Sequence, residues 1–405
     1  MAKFSSYTLL EYITALLFFL SLEPSITWSI NKFFILCPLI IVLFLNIDIS
    51  NKTNKRLFVI FFFLLSIIPI SHNNSLFGFL FYTTVVAVPF LKKSFALNTY
   101  QIFKNLYAII TGLSIIVWVM AIIMQLNIPY TIIDPLNDLK DYSYRSYPFL
   151  VAPTFTLDVS SMFRFHCVFD EPGAVGTYCL LFLYIEGFNI KKWDNIIILV
   201  AGMISFSFFF FLSLIIFGIS KVFTSKQLKK YRLWTIAGVL VAFVSVLSIP
   251  FLYDVIGSRL EYDEDRGTLA GDNRSGEELD KYIESIRGTN TYFWGETEDV
   301  VEEFSANAGI KNAILRYGIV FIILFFVFFF FYAKSRLKGN NIELLLFMFL
   351  LVLTLYQRPG FVNVNRLFFF SVAVMSRELA RNGSMQLISE RGCDRKRHPI
   401  KLGNV

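Results

Sequence analysis

Charge is what this sequence has least of. Asp, Glu, Lys and Arg make up 17% of its 405 residues, against about 25% in an ordinary globular domain. That shortfall excludes a soluble protein with a charged surface. Cysteine is scarce too: Cys37, Cys167, Cys179 and Cys393 form no Cys-x-x-Cys pair and no metal-ligand spacing. No structural metal or redox dithiol is therefore expected. Histidine is limited to His72, His166 and His398. Of these only His166 lies among other candidate groups, and a lone loop histidine is more often incidental.

Apolar sequence is abundant: 56% of the chain is hydrophobic and 47 residues are Phe. Apolar runs fall near 7–22, 28–47, 57–71, 76–91, 105–126, 172–188, 195–220, 233–252, 308–332, 342–356 and 366–376. A membrane helix needs roughly 20 such residues. The runs are continuous rather than alternating, which argues against a β-barrel. The expected fold is an all-α, polytopic transmembrane helical bundle of about 12 spans, with two structured external loops. The N-terminus lacks a basic n-region and a small-residue cleavage site, so the first span is expected to be retained. The chain divides into N-terminal spans 1–125, a first large external loop 126–171, central spans 172–252, a second large loop 253–307, C-terminal spans 308–376 and a basic tail 377–405.

The net charge of +7 could suggest a nucleic-acid or other anionic partner, but in a membrane protein its distribution matters more than its sum, and no nucleic-acid partner is expected. Cytoplasmic connectors are rich in Lys and Arg. Connectors 48–56, 92–104, 189–194, 221–232 and 333–341 are basic, as is the tail. They share one side if run 195–220 is a helical hairpin bent near Ser205–Ser207. Both termini are then cytoplasmic and both long loops lie outside. Segment 253–307 carries fifteen acids and five bases (15 − 5), a net of −10.

In the first loop, Arg164 precedes His166, Asp170, Glu171 and Pro172. Pro172 suits the first position of the next helix. Asp170 or Glu171 then has two open readings: a helix cap, or a carboxylate fixed at the membrane surface. Asp134, Asp138, Asp141 and Arg145 lie in a Tyr- and Pro-rich stretch that suits a carbohydrate-facing or interfacial loop. In the second loop, Ser275 and Glu278 form a capping box. Leu279, Tyr282, Ile283 and Ile286 then make one apolar helical stripe that Gly288 ends. Arg274 stands just before that helix, where it can meet an anion or simply be solvated. Asp263 and Asp265 have the spacing of a weak divalent-metal pair, though such pairs arise easily in an acidic loop. Arg316, Arg358 and Arg366 lie within or beside apolar runs. There an arginine faces the bundle interior or anchors at the interface.

The layout resembles the O-antigen and capsular polysaccharide polymerases. The resemblance rests on the span count, the two loops, Arg-x-x-x-x-Phe-x-Glu-Pro-x-x-x-Gly at 164–176, Asp-Asn-Arg at 272–274 and Asn312-Ala-Ile-Leu-Arg-Tyr-Gly at 312–318. It covers most of the chain as topology, and its motifs are short. Related O-antigen ligases share the layout but typically carry a histidine late in the second loop. This chain has none between His166 and His398, which favours a polymerase.

The resemblance implies a glycosyltransferase of the bacterial inner membrane. It would join oligosaccharides carried on undecaprenyl diphosphate at the outer face of the bilayer, without a cofactor or metal. It also implies a partner protein that sets chain length. Arg164, Glu171 and Arg274 are the catalytic candidates. Asp170, Asn273, Arg287, Arg316 and Arg358 are the substrate-binding candidates. A flippase of the same pathway is the rival outside enzymes; it predicts charges deep in spans and short loops on both faces.

Overall fold

The computed structural model describes residues 7–72, 85–136, 142–154, 164–224, 229–248, 253, 262–263, 268–269, 277–304, 309–337, 340–357 and 363–379. The chain is mostly helical. The long helices are α1 (Leu9–Leu20), α2 (Phe33–Leu45), α3 (Lys52–His72), α4 (Lys93–Trp118), α5 (Pro172–Ile185), α6 (Trp193–Ile204), α7 (Phe208–Thr224) and α8 (Arg232–Ser248). Three short helices follow, α9 (Glu277–Ser285), α10 (Asn290–Trp294) and α11 (Glu298–Phe304). Then come α12 (Gly309–Leu337), α13 (Asn341–Gln357) and a last helix, α14, over 364–379.

Strands qualify the all-α expectation. In the first loop β1 (Thr131–Ile133), β2 (Tyr144–Tyr147) and β3 (Leu150–Pro153) form an antiparallel sheet in that order. In the second, β4 (Tyr262–Asp263) pairs with β5 (Thr268–Leu269).

The Phe excess is spent on the core. Phe61 stacks on Phe328 with ring centroids 3.9 Å apart, and Phe18 stacks on Phe368 at 4.0 Å. Phe103, Phe182 and Phe369 meet pairwise. These rings interleave helices from both ends of the chain, and stacked or edge-on pairs add to the gain from burial. Large apolar side chains also cover the outside: Leu16, Ile41, Ile60, Ile116, Ile196, Ile323, Phe331 and Leu345 are all exposed. Large exposed apolar patches mark surfaces that meet a membrane or another protein.

Two helices among the described residues are long and apolar enough to cross a membrane, Lys93–Ile123 and Gly309–Leu337. The expected count of about 12 full spans is met only in this part. The physical reason is helix length. α1 and α6 have 12 residues each, which gives roughly 18 Å against a hydrocarbon layer of roughly 30 Å.

The basic connectors converge on one end of the bundle. Lys93 and Arg336 both reach Glu378, at 3.2 and 3.5 Å, and Arg336 donates to Asn54. Arg377 donates to the Tyr184 carbonyl, and Lys221 to that of Gly187 at 2.6 Å. Lys192 pairs with Glu186.

Run 195–220 bends where the sequence suggested. α6 ends at Ile204, Phe206 has a φ of +46°, and α7 starts at Phe208. Gly202 lets the arms close on each other, and Gly176 lets the bend approach α5. A Cβ on Gly202 would lie 2.4 Å from the Phe210 ring, and one on Gly176 2.4 Å from Ser207 Cβ. The Lys221–Gly187 bond returns α7 to the end where α6 began.

One sequence-based assignment needs correcting. Lys104 was expected in a basic connector, 92–104. α4 already starts at Lys93, so Lys104 lies within a helix and is fully buried. It pairs with Asp194 at 2.7 Å and Glu186 at 3.1 Å.

α12 is also interrupted. Gly318 has a φ of +75° and a ψ of 162°, a conformation open essentially to Gly alone. The break frees the Leu315 carbonyl, which accepts from Glu296 N–H at 2.7 Å. α10 closes on the gap, and a Cβ on Gly318 would lie 2.1 Å from the Phe293 carbonyl oxygen.

Candidate active site

The end opposite the basic connectors is organised around the strap 164–171. Its apolar residues point inward: Phe165, Cys167, Val168 and Phe169 are buried. Phe165 packs edge-on against Trp118, and Phe169 lies against Tyr107 and Tyr178. Three backbone bonds fix the strap to three separate elements. Phe165 N–H donates to Ile204 at the end of α6, at 3.1 Å; the Cys167 carbonyl accepts from Val151 of β3 at 2.7 Å; the Val168 carbonyl accepts from Ser25 at 2.7 Å. A connecting segment with such bonds is a rigid mount.

The mount carries the candidates at its two ends. Arg164 is half-buried, and its Nε donates to the Ser205 carbonyl at the hairpin tip, at 3.4 Å. Glu171 is also half-buried and occupies the N-cap of α5, with extended backbone (φ −137°, ψ 138°) and Pro172 following at the first position. Its side chain makes no capping bond. Its carbonyl accepts from Ala174 N–H. The cap reading of Glu171 therefore holds for its backbone and not for its carboxylate.

Tyr144 ties the sheet to this corner. It is buried, and its hydroxyl donates to the Asp170 carbonyl at 2.7 Å. Burial first, then the bond with the Tyr142 hydroxyl, hold its phenol far above the ordinary range. His166 is buried, with its ring 6.0 Å from that of Tyr144. Burial pushes the Cys167 thiol up to about 11, so it does not supply a thiolate nucleophile.

The second loop stacks on α12. Leu279, Val301 and Leu315 form a small cluster with Tyr282 and Ile283 around it. The apolar stripe of α9 therefore packs over the bundle. Lys311 pairs with Asp280 at 2.6 Å. Arg316 is half-buried, two residues before the Gly318 break. Arg287 is solvent-exposed beside Glu284, at 3.9 Å. Arg274, Asn273 and Arg358 lie outside the described residues, as do Ser275 and Asp265. Asp263 ends β4.

Sequence reasoning missed a cleft at the same end of the molecule. It lies between the end of α1, the turn after it, the start of α2 and the start of α14, with a volume of about 230 Å³. Trp28, Glu23, Lys32 and Asn363 line it. Asn363, just before α14, was a capping signal available in the sequence, and Asn365 stands two residues further on. Its pairing with Ser21, 344 residues away, was not.

No family model matches the chain, and neither a curated protein nor a solved structure matches it.

Proposed function

We propose that the chain is a membrane-embedded glycosyltransferase of the polysaccharide-polymerase type, acting on oligosaccharides linked to undecaprenyl diphosphate. The basic end faces the cytoplasm and the strap end faces outward, in keeping with the sidedness of Lys and Arg in membrane proteins. The observation that carries the reading is the strap itself. It is a segment tied to three elements by backbone bonds, with an arginine at one end and, at the other, a carboxylate at the N-cap of α5.

In the reaction, an acceptor hydroxyl attacks the anomeric carbon of the donor. The bond from that carbon to the diphosphate oxygen breaks, and its electron pair leaves with the lipid diphosphate. Glu171 takes the acceptor's proton. Arg164 meets the charge that develops on the leaving group, with Arg274 assigned to the same task. Guanidinium forks suit phosphate oxygens bidentately and hold their charge at any physiological pH. Fixed cations aimed at developing charge are typically the largest catalytic contribution. Asp170, Asn273, Arg287, Arg316 and Arg358 are assigned to substrate binding.

The test is the product. Arg164→Ala and Glu171→Ala should each leave a folded, membrane-inserted protein and a surface glycan one repeat unit long. Normal polymer from both variants would sink the assignment.

A flippase gains one observation, the buried Lys104 beside Glu186 and Asp194. That cluster lies at the basic end and joins α4 to the α5–α6 turn, which supports a bracing role. Flippase loss would instead trap lipid-linked units inside the cell.

A further inference from the structure

The cleft beside α1 lies outside every residue assigned above. We infer that it binds one sugar ring of the oligosaccharide substrate, with Trp28 as the platform; this rests on the polymerase reading and assigns that reaction a glycan subsite.

The platform is held in place before any ligand arrives. Trp28 Nε1–H donates to the Glu23 carbonyl at 3.1 Å. Its ring meets Tyr144 edge-on, with centroids 5.6 Å apart. The negative face of an indole attracts the weakly positive C–H groups on one side of a pyranose. Glu23 has a φ of +61°, costly for a residue with a side chain. Its carboxylate pairs with Lys32 at 2.6 Å, so a cation and an anion stand together at the rim. Sugar hydroxyls both donate and accept, and charged partners give the stronger bonds.

The opposite wall is latched. Ser21 Oγ donates to Asn365 Oδ1 at 2.9 Å, and Asn365 Nδ2 returns a bond to the Ser21 carbonyl at 2.8 Å. Asn363 Oδ1 accepts from the backbone N–H groups of Asn365 and Arg366. That fixes which way its amide points and leaves Nδ2 as a donor.

Two features favour a sugar over a phospholipid headgroup. The volume of about 230 Å³ is below the roughly 300 Å³ at which drug-sized pockets begin, which suits a single ring. Lys32, the cation among the lining residues, is already paired with Glu23, so a phosphate would meet a carboxylate. The cleft is also coupled to the strap. Ser25, in the same turn, bonds to Val168, and Tyr144 bridges Trp28 to Asp170.

The experiment uses the full chain in nanodiscs. The chain has five tryptophans, and Trp118, Trp193, Trp234 and Trp294 are changed to Phe so that Trp28 reports alone. The probe is the repeat-unit oligosaccharide released by mild acid, which cleaves the sugar–diphosphate bond, from the lipid-linked units of cells that make the protein. Trp28 emission should change saturably, over the concentrations where calorimetry detects binding. In the native background Trp28→Ala should weaken binding at least tenfold, and Trp28→Phe less. Calorimetric binding with a silent Trp28 and an unaffected Trp28→Ala would overturn the cleft and leave the polymerase reading standing. No binding by either method would overturn both. A Trp28 response to the anionic-lipid content of the disc, and not to the sugar, would make the cleft a headgroup site and overturn the inference.

Discussion

Replacing Lys104 with Met should destabilise the protein by about 3 kcal/mol, the lower end of the cost of breaking a buried ion pair. The figure follows from who loses a partner. Lys104 is fully buried between Asp194 at 2.7 Å and Glu186 at 3.1 Å, and the two acids keep only 7% and 10% of their side-chain exposure. Glu186 would retain Lys192, 2.7 Å away. Asp194 would retain only a backbone N–H, that of Asn195 at 2.9 Å. The penalty therefore falls on one carboxylate rather than two. Methionine fills the space of the lysine stem, so lost packing adds little. The assay is thermal unfolding of the purified full chain in detergent, followed by tryptophan emission. Lys104→Met should unfold several degrees below the wild type, and adding Asp194→Asn should recover most of the loss. A single variant as stable as the wild type, or a double variant no better than the single, would refute the bracing role.

Gly318→Ala should loosen the second loop from α12, because the Cβ would lie 2.1 Å from Phe293 O and the backbone is one that costs about 1–3 kcal/mol without glycine. Faster backbone hydrogen exchange across 290–296 would register it. Gly202→Leu should force the hairpin arms apart at Phe210 and lower activity through the Arg164–Ser205 contact; polymer length on a gel is the readout. The Tyr282 phenol is pushed up to about 12, by burial first and then by its bond to Glu296. The neutral form is the one the fold favours, so this contribution is intact below the ordinary value near 10 and fades as the pH rises to about 12. Phenolate absorbance should place that titration, and Tyr282→Phe should remove it.

Several features were legible because one local rule decided them. Pro172 marked the start of α5, and the serines at 205–207 marked the hairpin bend. The stripe Leu279, Tyr282, Ile283, Ile286 marked the packed face of α9. The basic connectors were read by composition, and the structure gathers them. Other features depend on contacts that no local rule carries. Lys104 sits beside an apolar run, and counting charges cannot tell a loop lysine from one held by two distant acids. The strands β1 to β3 are three or four residues each and exist by pairing. In the sequence Gly318 reads as a helical glycine with the usual propensity cost; its positive φ, and the approach of α10 to it, depend on contacts outside the run. Of the candidate site, Arg164 and Glu171 came from spacing. The strap's anchorage, and the cleft next to it, come from elements far apart in the chain.

The short arms of the α6–α7 hairpin also fix a depth. α6 runs from the basic end to the strap end in 12 residues, roughly 18 Å. In the orientation proposed, its tip then lies roughly 10 Å below the far edge of a hydrocarbon layer about 30 Å thick. Arg164 is bonded to that tip. On the proposed function, a diphosphate drawn to it would leave the headgroup layer. Water is sparser at that depth, and a given charge pair attracts several times more strongly than at the surface. The arginine would thus gain its hold on the lipid carrier from how far down the hairpin places it.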